Sequence, residues 1–67
     1  MPDTQTVLVE VQTIRDDGGT WQEAFDHVEK RYRDYYLDEG HSDAIAYQAA
    51  RDVTEYIMRT AEWSNPD

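Results

Sequence analysis

Sixty-seven residues without a cysteine make one domain near the lower size limit for unaided folding, with no disulfide frame or thiolate metal site. Fifteen Asp and Glu against six Lys and Arg leave a net charge of −9, a field that repels nucleic acid and anionic membrane and attracts basic surfaces. No apolar run approaches the roughly 20 residues that span a bilayer, and residues 1–5 lack the basic start of a signal peptide, so a cytoplasmic location is expected. One Lys against five Arg also suits a salt-adapted or GC-rich source, in which acidity would serve solubility alone.

Residues 6–14 alternate Val7, Val9, Val11 and Thr13 with Leu8, Glu10, Gln12 and Ile14, which predicts a β-strand with one strongly apolar face. Residues 15–19, with Gly18 and Gly19, predict a turn. Thr20 and Glu23 form a capping-box signature that opens a helix over 20–39. At 100° per residue, Trp21, Ala24, Phe25, Val28, Tyr32, Tyr35 and Tyr36 share an arc of about 120°, a buried stripe. Asp26 with Lys30 and Glu29 with Arg33 are i,i+4 ion pairs, and Gly40 is the stop. Ser42 caps a second helix, 42–63, whose stripe is Ile45, Ala46, Ala49, Ala50, Val53, Tyr56, Ile57 and Ala61. The short link between the helices predicts an antiparallel hairpin.

The expected fold is therefore α+β and mostly helical. It is a single β-α-α domain over 1–67, with 1–4 and 64–67 frayed. A lone strand lacks a ladder partner, so it either lies over the hairpin or pairs with its copy in a homodimer.

Catalysis has little to build on. His27 falls on the outer side of the first helix near Glu23, and His41 sits in the turn beside Ser42 and Asp43, where capping explains all three. Asp16 and Asp17 lack the alternating ligands and closing Glu of a calcium loop. No Gly-rich phosphate cradle is present. The reading is of a binding protein, not an enzyme, with no metal and no cofactor. The aromatics share one stripe and belong to the core, whereas Leu37, Tyr47 and Trp63 are candidate apolar anchors for a partner.

Charge collects at the two ends of the predicted hairpin. Asp34, Asp38, Glu39 and Asp43 surround the interhelical turn. Asp16, Asp17, Glu23 and Asp26 mark the other end, with Glu62 brought near by the antiparallel arrangement. Asp38 and Glu39 lie at the negative end of a helix dipole, and Asp34 with Asp38 is a like-charge i,i+4 pair. Such choices oppose stability, so the turn end is the first candidate binding site.

In size, acidity and lack of catalytic groups, with carboxylates clustered in 34–43 and 16–26, the chain resembles small phage-encoded inhibitors of nucleic-acid enzymes, among them anti-CRISPR proteins. The resemblance implies nucleic-acid mimicry. The partner would be a basic nucleic-acid-binding protein, such as a CRISPR effector subunit, met in the host cytoplasm. Residues 40–45 and 50–57 also resemble the turn and second helix of ribbon-helix-helix regulators and antitoxins, which implies a strand-paired dimer. The longer first helix, the glycine turn before it and a strand offering Glu10 and Gln12 depart from that family's DNA-reading ribbon.

Overall fold

A computed structural model describes residues 1–66 and contains three helices: α1 (Thr4–Asp16), α2 (Trp21–Asp38) and α3 (Asp43–Thr60). There is no strand among the described residues, so the fold is all-α, and the expected α+β class and the strand at 6–14 are overturned. The strand-mediated homodimer and the ribbon-helix-helix likeness lose their premise with it. Thr4 begins α1, with Asp3 at the N-cap position and no cap hydrogen bond from its side chain. Of the expected frayed tail, Asp67 lies outside the described residues.

The helix wins over 4–16 for two reasons. A lone strand leaves its backbone N–H and C=O groups without partners, whereas a helix satisfies them within itself. The same residues also carry a helical pattern: Val7 and Val11, one turn apart, are fully buried, and Leu8 and Ile14 pack partly against the core. Val9 decides between the two periods. A strand would bury it with Val7 and Val11, but the helix leaves it 58 % exposed. The weak helix preference of β-branched residues costs only tenths of a kcal/mol each, which tertiary packing outweighs.

The longer helices α2 and α3 pack as the predicted antiparallel hairpin, and α1 lies across both. Thr20 and Glu23 close the predicted capping box, and Ser42 Oγ accepts from Ile45 N–H at 3.3 Å. Val7, Val11, Ala24, Phe25, Val28, Tyr32, Ala50, Ile57, Met58 and Ala61 form the core. Tyr32 is fully enclosed, and its hydroxyl has no hydrogen-bond partner among the described residues. Thr54, also fully buried, donates its hydroxyl to the Ala50 carbonyl at 2.6 Å.

All three helices end in the same double reversal. Gly18 and Gly40 take positive φ, of 84° and 95°, just past α1 and α2. The next amides, Gly19 and His41, donate back to Ile14 and Tyr36 at 2.8 and 3.2 Å. Gly19 must be glycine, since an added Cβ would lie 2.6 Å from Ile14 Cγ2 and 2.8 Å from the Ile14 oxygen. Helix α3 stops at Thr60, short of the expected residue 63, because Glu62 adopts φ 55°. Trp63 then folds back, donating its N–H to Met58 O at 3.1 Å. Trp21 Nε1 donates to the Trp63 carbonyl at 2.8 Å, and the Arg15 guanidinium sits 5.2 Å above the Trp63 ring.

Two stability outcomes follow. Glu62→Gly removes a left-handed non-glycine residue and is expected to add about 1 kcal/mol. In a thermal melt that is a rise of roughly 4–8 °C for a domain of this size. Tyr32→Phe deletes an unpaired buried hydroxyl without changing the ring and is expected to melt no lower than the parent. A lower melting point in either variant would contradict the corresponding packing.

Candidate functional site

The distribution of the few basic side chains decides what surface is left for a partner. Glu10 on α1 receives two cationic or polar groups from α2: His27 Nε2 lies 2.6 Å from Oε1, and Arg31 Nη2 lies 3.2 Å from Oε2. Glu29, nearly buried on α2, binds Arg33 at 3.2 Å and reaches Arg51 of α3 at 3.6 Å. Arg51 also covers the Phe25 ring at 5.1 Å and donates to the Tyr47 hydroxyl at 3.2 Å. Arg15 is held by Trp63 and by the Ala61 carbonyl at 3.5 Å. Thus Glu10 and Glu29 take every cation that enters an ion pair. No other Asp or Glu among the described residues has one.

At the turn end, Asp34 and Asp38 lie on the last turns of α2, Glu39 is its C-cap, and Asp43 opens α3; all four are exposed. The last turn of α2 has no basic residue, so the dipole's negative end is left bare. Partial desolvation, the Glu39 carboxylate and the neighbouring Tyr36 hold the Tyr35 phenol above its ordinary range. Helix α1 runs antiparallel to α2, so its start joins this end. Met1 and Pro2 line a shallow cleft with Arg31, Asp34, Tyr35 and Asp38. Asp3 follows them, exposed at the start of α1, and its carboxylate accepts from the Thr6 hydroxyl at 3.1 Å. Reading 6–14 as a strand hid this helix start; the helical spacing of Val7, Leu8, Val11 and Ile14 was the signal available.

The opposite end is more structural. Glu23 closes the capping box on Thr20, its Oε1 accepting from the Thr20 hydroxyl at 3.2 Å. Asp26 accepts from Gln22 Nε2 at 2.8 Å, and its expected pair with Lys30 does not form. Asp16 and Asp17 finish α1 instead of following a strand, and Glu62 joins them through the Ala61–Arg15 contact. The two candidate groups thus stay at opposite ends of a body 34 × 25 × 17 Å in extent.

Among the apolar candidates, Leu37 and Tyr47 are exposed, at 38 % and 45 %. Trp63 is half-buried and packs against the core. His27 pairs with Glu10 across to α1, not with Glu23, and His41 packs edge-on against Tyr36 at 5.7 Å. Among the described residues no three His, Asp or Glu gather as a metal-ligand set, and no helix is long and apolar enough to cross a membrane. Comparison with protein-family models, curated proteins and solved structures finds no match to this chain.

Paired and unpaired carboxylates should respond oppositely to substitution. Glu29→Ala strands two guanidinium groups that are about two-fifths exposed (38 % and 40 %). The expected loss is roughly 1–2 kcal/mol, less than for a fully dry pair. Asp38→Asn relieves like-charge repulsion at a helix C-terminus and is expected to be neutral or stabilising by a few tenths of a kcal/mol. Urea midpoints measure both. Equal losses would show that the carboxylates do not differ in this way.

Proposed function

We propose that this chain is a small acidic binding protein that blocks a basic nucleic-acid-binding surface of a host enzyme or complex, acting by occupation and not by catalysis. The observation that supports it is the pairing asymmetry: ion pairs place Arg31, Arg33 and Arg51, with His27, on two carboxylates, and the other carboxylates among the described residues are exposed. Acidity needed only for solubility gives no reason for the last turn of α2 to lack a basic residue when those of α1 and α3 each hold one. Carboxylates one turn apart are separated by about 6 Å along a helix, so 34, 38 and their neighbours present a row of negative charge to a basic groove. Such a field accelerates encounter with a basic partner and makes binding sensitive to salt. A CRISPR effector subunit is one partner of the required chemistry. The turn end is the preferred contact, because its carboxylates are free of the capping that occupies Glu23.

The test is capture of partners from host lysate, followed by competition with duplex DNA. The reading expects a basic nucleic-acid-binding protein that DNA displaces, with affinity falling on the order of tenfold or more as salt is raised. The Asp38→Lys, Glu39→Lys, Asp43→Lys triple variant should lose this binding. Capture of the same protein by the triple variant, or simultaneous binding of DNA to the captured complex, would sink the proposal. Loss of salt-dependent capture altogether would leave acidity as a solubility device.

A further inference from the structure

We propose that the outward face of α3, formed by Ile45, Ala49, Val53 and Tyr56, docks a basic amphipathic helix of a partner protein. This goes beyond the preceding reading, which places the contact at the helix ends. The apolar stripe expected for this helix is wider than the fold buries. The core takes Ala46, Ala50, Thr54, Ile57, Met58 and Ala61, and leaves Ile45 and Tyr56 each 56 % exposed, with half-buried Ala49 and Val53 on their inner side, Val53 packed in part against the core. A buried threonine beside an exposed isoleucine and tyrosine on one helix is the reverse of what burial alone selects.

The geometry suits a helix. Residues 45, 49, 53 and 56 follow the i,i+4 and i,i+3 ridges along about 16 Å of helix, with small Ala49 where a second axis would approach most closely. The charge suits a basic one. Asp52, which accepts from Gln48 Nε2 at 3.3 Å, flanks the stripe on its outer side and Glu55 lies farther round the same side, both exposed and without an ion pair, in a chain of net charge −9. Arg59, at the far end, is the one cation beside it. A second copy is a poorer occupant, because antiparallel self-pairing brings the two Asp52 carboxylates together between two bodies of −9 each.

Two synthetic amphipathic helical peptides of equal length, one of Leu and Lys and one of Leu and Glu, serve as probes in a ¹H–¹⁵N NMR titration of the full chain. The Leu/Lys peptide is expected to move the resonances of Ile45, Ala49, Val53 and Tyr56, and the Leu/Glu peptide to leave them in place. The double variant Ile45→Gln, Tyr56→Gln keeps the charge and alters two surface positions; it is expected to bind at least about tenfold more weakly. The neutralised turn end, Asp38→Asn, Glu39→Gln, Asp43→Asn, is expected to lose no more than about threefold. Equal binding by the double variant, or shifts confined to residues 34–43, overturns the α3 site while leaving the function proposed above intact. Binding of both peptides alike overturns the basic partner. A parent of twice the chain mass that the double variant returns to monomer gives the face to a second copy and likewise overturns the proposal.

Discussion

A two-helix hairpin leaves one side of each helix wet, and burial of Val7 and Val11 against α2 and α3 is what closes this one. The whole molecule depends on that contact. It encloses Val28, Tyr32 and Ile57, it carries Glu10 to within reach of His27 and Arg31, and it sets Arg15 over Trp63. In a chain of this size the apolar surface available for burial is small, so a third helix of only 13 residues changes the balance from marginal to folded. The glycine turn at 18–19 makes the contact possible, since the tight reversal after α1 has no room for a side chain at Gly19.

The same packing governs the electrostatics. Glu10 and Glu29 each gather two basic groups, and Arg15 and Arg59 stand in the last turns of α1 and α3, so α2 is the one helix whose last turn has no cation. A fold that used Arg31 or Arg33 to quiet Asp34 and Asp38 would have a weaker outward field and a bare carboxylate near its core. The net charge alone does not distinguish these arrangements; the pairing does.

Much of the hairpin was legible in the sequence. The capping box at Thr20 and Glu23, the Ser42 cap and the stop at Gly40 depend on local backbone chemistry that short segments carry by themselves. The Glu29–Arg33 pair was legible for the same reason. Helix α1 was not, because Val7, Val9 and Val11 satisfy period two while Val7, Leu8, Val11 and Ile14 satisfy period 3.6, and only the packed environment chooses between them. The reading as a strand spread outward: it sent His27 to Glu23 instead of Glu10, and placed Asp16 in the turn instead of the last turn of a helix. The early stop of α3 was hidden too, since Glu62 gives no glycine signal for the left-handed turn it makes.

The width of the α3 stripe has a physical explanation that joins these points. If α1 and α2 covered all of the apolar side of α3, then Ile45 and Tyr56 would be dry and Thr54 would be at an edge, free to meet water. Instead α2 approaches on the side of Arg51, where Glu29 holds it, and α1 reaches α3 mainly near Ala61 through Arg15. Burial of Ala46, Ala50, Ile57, Met58 and Ala61 sets the rotation of α3 about its axis, and both polar ties agree with it. Given that rotation, Thr54 faces inward and remains tolerable because its hydroxyl is satisfied by Ala50 within the helix. Ile45 and Tyr56 are then left outside by geometry, not by lack of hydrophobicity. An apolar strip left outside by the packing of α3, on a body whose uncompensated charge is negative, is matched by a surface that is apolar along a line and positive beside it.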